Sequence, residues 1–243
     1  MRRRAFLIGA GAAAAMPRAV AETGVEALAG DRFRIDDQDF QLSDIRAPSA
    51  YALHADAEPH FEESKRALEK ALNGAVPDWR ETAQPTRWGE KVVRADSEGA
   101  SLQERLVEAG AARVVPLTGD LDFIGRLLTL EAGARALRRG LWALDAYRVF
   151  DAIAPEAAVG AFNLIEGAPV KAAKVGGRFY LNFGEDYKTD FTASAASGLA
   201  RRWAKAGFDL ARLNGVKIRV RGYVDEINGP SVDLKHIRQI EIL

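Results

Sequence analysis

Residues 99–114 read GASLQERLVEAGAARV: a turn, a helix and a strand in one short run. Ser101 and Glu104 stand three apart ahead of an apolar run, the capping box that opens a helix. Gly110 stops that helix, and residues 113–115 read as a short strand. Downstream, Asp122 is expected to cap a longer helix. Ile124, Leu127, Leu128, Glu131, Ala134 and Leu137 follow helical spacing there, and Gly140 ends it. Upstream, residues 90–95 read as a strand. A helix is expected near Pro59–Asn73, with Phe61, Leu68 and Leu72 on one face and Gly74 where a C-terminal cap is wanted. Residues 30–46 read as two strands. Phe33 and Ile35 alternate with polar neighbours on the first, Phe40, Leu42 and Ile45 resume on the second, and Asp36-Asp37-Gln38-Asp39 turns between them.

The chain starts again with strands further on. Residues 143–157 show no strong period and read as a linker. Strands are expected at 161–165, 169–175 and 178–183, a helix near 194–206 with Leu199 and Trp203 four apart, then strands at 216–224 and 231–242. Asn228-Gly229-Pro230 makes the last turn. Five short strands with one helix suit a small, partly open barrel. The fold class is therefore β-rich α+β in two successive parts.

Composition narrows the chemistry. The 243 residues include no cysteine, which excludes disulfides, thiolate metal sites and a cysteine nucleophile. His54, His60 and His236 are too scattered for a zinc site. No Ser-His-Asp arrangement, phosphate-binding Walker loop or Gly-rich dinucleotide turn is present. Arg2, Arg3 and Arg4 precede the short apolar run 5–16, and Ala19-Val20-Ala21 reads as a cleavage site. Residues 1–21 are thus expected to be a removable bacterial signal peptide, with Arg3-Arg4-Ala5-Phe6-Leu7 resembling the twin-arginine type, and the mature chain to be periplasmic or secreted. No later segment is apolar enough to cross a membrane as a helix. Charge is uneven: residues 22–157 carry 17 basic and 25 acidic side chains, residues 158–243 carry 13 and 9. A grip on polyphosphate needs a basic footprint, and the larger part shows the opposite.

Several stretches, in order, resemble the thermonuclease (staphylococcal-nuclease-like) family. They are Ala29-Gly30-Asp31, Phe40-Gln41-Leu42, Ile45-Arg46-Ala47-Pro48-Ser49, Trp88-Gly89-Glu90, residues 99–114, and Leu127 to Trp142 with Glu131, Ala134 and Gly140-Leu141-Trp142. The resemblance implies an OB-fold barrel with helices over residues 22–145. A second, smaller OB-like barrel is expected over 158–243, where Arg178 to Gly184 and Val220 to Leu243 resemble a module that follows such domains in exported bacterial proteins. The family cuts phosphodiesters with a bound calcium held by carboxylates, a carboxylate base and two arginines. Here only Asp31 keeps its family residue, as a metal carboxylate. Gln41 stands for the first arginine, Arg46 for the second metal carboxylate, Ser49 for the base and Glu90 for the second arginine. The cleft is therefore expected to hold no calcium and not to hydrolyse nucleic acid, with the guanidinium of Arg46 paired to Asp31, Glu90 or both. Asp44, two residues before Arg46, fits the metal position only if the strand slips.

The functional expectation is an exported binding module for a protein or an anionic ligand. The alternative is an active, divalent-metal phosphodiesterase that uses other residues, with calcium as its cofactor. Lys217, Arg219, Arg221 and Tyr223 alternate with apolar residues and so share one strand face. That face is the expected place for an anionic ligand, weakly bound single-stranded nucleic acid included. Trp79 and Trp88 flank the loop carrying Glu90 and are candidates to stack a ligand.

Overall fold

The structure, a computed structural model, describes residues 24–50, 57–155, 158–186 and 188–243. The expected signal segment 1–21 and His54 lie outside the described residues. The first part builds strands β1 (Val25–Ala29), β2 (Arg32–Ile35), β3 (Gln38–Leu42) and β4 (Ile45–Arg46), then helix α1 (Phe61–Leu72). Strands β5 (Asp78–Glu81), β6 (Lys91–Ser97) and β7 (Ala100–Ser101), helix α2 (Leu102–Glu108), strand β8 (Arg113–Val114) and helix α3 (Leu121–Ala136) follow. β1, β2 and β3 make an antiparallel meander. β6 joins β3 in parallel and pairs antiparallel with β5 and β7. β4 and β8 pair apart from this sheet.

Local chemistry explains these elements. Alternation buries Phe33 on β2 and Phe40 and Leu42 on β3, and the two Phe rings stack at 5.0 Å. In α1, Ser64, Leu68 and Leu72 recur every four residues and form the buried face. Asn73 ends the helix in the left-handed conformation, φ 51°, which Asn tolerates better than most residues. Ser101 Oγ accepts the Glu104 N–H, one half of the expected capping box, while the Glu104 carboxylate turns to Arg126 instead. The cap of α3 is Asp120 and not Asp122: its carboxylate accepts the Phe123 N–H at 3.0 Å, so the helix begins one residue ahead of the expected cap. Gly140 opens a 3-10 turn after α3. It meets Gly110 back to back, and a Cβ on either would lie 2.2–2.3 Å from a backbone oxygen of the other strand of chain. Only glycine permits that crossing.

The second part contains β9 (Phe150–Asp151), β10 (Phe162–Gly167), β11 (Lys171–Val175), β12 (Arg178–Asn182) and β13 (Thr192–Ala196), then α4 (Ser197–Lys205), β14 (Ile218–Glu226), β15 (Pro230–Leu234) and β16 (Ile240–Ile242). They form one eight-stranded sheet in the order β11-β12-β13-β15-β14-β10-β9, with β16 also on β14. Eight strands replace the expected five. β13 escaped notice because Thr-Ala-Ser-Ala-Ala lacks the branched and aromatic residues that mark strands. The expected linker is not a free tether: Tyr147 and Phe150 are buried, and β9 pairs with β10.

The chain is thus a β-rich α+β protein with an apolar core in each part. A third, smaller cluster lies at the seam, where Ala134, Leu141 and Trp142 of the first part meet Phe162 and Leu164 of the second, with Tyr147 between. Among the described residues no helix is long and apolar enough to cross a membrane.

Candidate functional site

Asp31 sits in the turn between β1 and β2. Its neighbour Gly30 lies so close to the chain that a Cβ would come within 2.7 Å of Ala47 and Ser64. This contact draws Asp31 against the end of β4, where its carboxylate accepts the Ala47 N–H at 3.1 Å. Asp31 is 7% exposed. Burial raises its pKa, while Arg32, the Ala47 N–H and Arg46 pull in the other direction.

Arg46 does not pair with Asp31 or Glu90. Its guanidinium meets Glu58 Oε1 at 3.2 Å, and Glu58 Oε2 accepts the Ser49 N–H at 2.8 Å. The reason lies in the backbone. Glu58 N–H donates to Ser49 O at 2.8 Å, which folds the chain back and sets Glu58 beside Arg46. Glu90 is 7% exposed and has its own partners, Arg32 Nε at 3.5 Å and the Thr86 hydroxyl at 2.8 Å. Gln41 lies directly across from Arg32 in the β2–β3 ladder. Sequence reasoning missed both Arg32 and Glu58. Arg32 was legible beside Asp31, whereas no motif or period in the sequence singles out Glu58.

These residues do not fit calcium. The cation wants six to eight oxygen ligands, and of the two positions that the resemblance assigns to metal carboxylates, Asp31 carries one and Arg46 brings a positive charge instead. Unit charges about 4 Å apart near a protein surface interact by about 4 kcal/mol, and a dication doubles the repulsion. Asp44 offers no rescue. It is 2% exposed, and its carboxylate accepts the Leu117 and Thr118 N–H groups and the Thr118 hydroxyl, at 2.8–2.9 Å. Asp39 of the acidic turn pairs with Arg34, and that hydrogen bond holds its pKa low. Among the described residues no group of three or more His, Asp or Glu is placed to hold a metal ion.

The expected ligand face of the second part is corrected more strongly. Arg221 is fully buried and bonds Glu131 of α3, at 2.8 and 3.1 Å, and Glu241 at 2.5 Å. Its third partner is Val114 O at 3.0 Å. Arg219 is held by Glu166 and Glu241. Tyr223 is 49% exposed but lies under Arg46, 5.3 Å from its ring. Lys217 remains exposed, 3.9 Å from Glu166. The strand face does alternate as expected, but its centre, Arg221, is buried against the first part, while Lys217 and Tyr223 at its two ends stay exposed. Burial disfavours the charge on Arg221, yet Glu131 and Glu241 outweigh it and raise its pKa. Burial likewise pushes Glu241 up, and Arg221 and Arg219 bring it below its ordinary value.

The two tryptophans part company. Trp79 packs on Phe40 at 4.9 Å and carries Lys91 above its ring at 4.7 Å. Trp88 is 68% exposed, with the Arg87 guanidinium stacked 4.0 Å from its ring. It is the most prominent aromatic feature on the rim of the cleft.

An α+β barrel whose cleft is neutralised by its own arginines and glutamates is the class that fold and site define. Residues 39–144 match the family model of staphylococcal nuclease homologues, and this segment is a domain of that family. Gln41, Arg46, Ser49 and Glu90 lie inside the matched stretch, and Asp31 lies before it. No curated protein matches the chain.

Proposed function

We propose that this protein is a non-hydrolysing binding module on the nuclease fold, acting outside the cytoplasm after removal of residues 1–21. The pairing of Arg46 with Glu58 carries the reading, since it fills the metal's neighbourhood with an internal cation and counter-ion. The rest of the cleft agrees. Glu90 repels a phosphate where an arginine would attract one, and Ser49 cannot act as a base near neutral pH. The contact surface for a protein or anionic ligand is the rim at Trp88 and Arg87, because an exposed, pre-stacked aromatic–guanidinium pair is a binding anchor of the usual kind.

The test is hydrolysis of single- and double-stranded DNA and of RNA by purified protein, with calcium and with chelator. The expected result is no cleavage that tracks with the protein. Calcium-dependent cleavage that disappears in Asp31→Ala would replace this reading with a working phosphodiesterase. Losing even one charge-stabilising donor commonly costs an enzyme about 3 kcal/mol of transition-state stabilisation, and four family positions are changed here.

A further inference from the structure

The second part is basic overall, and its central arginines are spent on the seam. The unpaired positive charge therefore lies elsewhere. In α4, Ala200 and Trp203 face the core, while Arg201, Arg202 and Lys205 are exposed. At 100° per residue these three fall within one stripe opposite the buried side. The helix carries no acidic residue. It packs on β12 and β13, and the 3-10 turn Leu210–Leu213 packs beside it on β11 and β12, with Arg212 exposed. On β11, Lys174 stands opposite Phe179 in the ladder and so shares the helix-covered face of the sheet. Lys174 is exposed at the sheet's edge. None of these five side chains has an ion-pair or hydrogen-bond partner among the described residues. Asp209, the nearest acid in sequence, is occupied in accepting the Ala211 N–H. The acidic loop at 185–190 joins the Asn182 and Thr192 ends of β12 and β13, whereas α4 departs from the opposite end.

We propose that the face formed by Lys174, Arg201, Arg202, Lys205 and Arg212 is an electrostatic docking surface for an anionic lipid bilayer. Five unpaired cations on neighbouring elements complement a sheet of phosphate headgroups, each contributing about fivefold to partitioning near the surface. The stripe lies on the convex outer side of a helix, the shape that meets an extended surface. A groove would be needed to track a single strand, together with exposed aromatic residues for base stacking. Tyr223, Trp79 and Trp88 are the exposed aromatic residues among those described, and none belongs to this face. The apolar side of α4 is taken up by the core, so attachment is electrostatic and reversible by salt.

Co-sedimentation with vesicles of phosphatidylcholine containing phosphatidylglycerol, against vesicles of phosphatidylcholine alone, tests this. Binding is expected on the anionic vesicles only, and to vanish in high salt. The triple variant Arg201→Glu, Arg202→Glu, Lys205→Glu, with its melting temperature checked, is expected to lose about a hundredfold in partitioning. Lys171→Glu, on the opposite face of β11, is expected to retain most of it. Equal binding to both vesicle types, no binding at low salt, or full binding by a folded triple variant would overturn the proposal. So would a preference of this face for a single-stranded oligonucleotide while the vesicles stay bare. None of these outcomes bears on hydrolysis in the cleft.

Discussion

Two clusters of arginines and carboxylates occur in this molecule, and they behave differently because one is wet and the other dry. In the cleft, Arg46–Glu58 and Arg32–Glu90 are pairs with side chains partly open to solvent, up to 41% exposed for Arg32. At the seam, Arg221 and Glu131 are 0% and 1% exposed, in a network with Glu241, Arg219 and Arg135. Open pairs contribute little to stability. A buried pair gives small net stabilisation, but losing one partner strands the other charge in the interior. The cleft cluster therefore costs little stability to change, and the seam cluster sets how the two parts meet.

The sharpest way to break this comparison is at Arg221. Arg221→Met should destabilise the protein by about 3 kcal/mol, read from denaturant unfolding, because buried Glu131 loses its closer cation and keeps only Arg135 at 3.4 Å. The pair Arg221→Met with Glu131→Gln should recover much of that loss, since Gln still accepts the Val114 N–H that Glu131 now accepts at 2.7 Å. Next in size is Asp44→Ala, which removes the acceptor of three hydrogen bonds from residues 117 and 118 and should cost about 2–3 kcal/mol. A cost below about 0.5 kcal/mol would instead leave Asp44 free for another role.

A third test uses pH. His236 Nε2 faces Thr118 O at 3.0 Å, and its Nδ1 accepts the Arg238 N–H at 3.0 Å. That pattern holds the neutral ring with its proton on Nε2. Burial lowers the pKa below 6.5, with Arg238 adding to it against Thr118 and Asp44. The unfolded chain therefore binds the proton more readily, and this contribution is present above the ordinary imidazole value and is lost as pH falls below it. His236→Gln should flatten the melting-temperature profile below about pH 6.5. The smallest effect belongs to Arg46→Ala, expected to cost under about 1 kcal/mol because its pair with Glu58 is partly solvated.

Much of this fold could be read from the chain alone. The capping box at Ser101, the turn at Asp36, and the helices near Pro59–Asn73 and Ile124–Leu137 carry period and punctuation in their own residues. What escaped was decided by tertiary contact. β1, Val-Glu-Ala-Leu-Ala, has helix-forming residues, and pairing with β2 makes it a strand. For the candidate site residues, the side-chain partners were not legible in the sequence. Arg46 was expected to turn to Asp31, Glu90 or both, yet the carboxylate of Asp31 accepts a backbone N–H, Glu90 is held by Arg32 and Thr86, and Glu58 takes the guanidinium. The Lys217–Tyr223 face was read as alternating, and period alone does not say whether the polar side faces water or another part of the chain.

The central claim is that the cleft carries its own cation in place of a metal. A ligand that binds only the folded state raises the melting temperature in proportion to the logarithm of its concentration above Kd. The most direct measurement is the unfolding temperature of the wild-type protein titrated with calcium, with magnesium alongside as a control for ionic strength. The account predicts no shift specific to calcium. A saturable, calcium-specific rise that disappears in Asp31→Ala would contradict it.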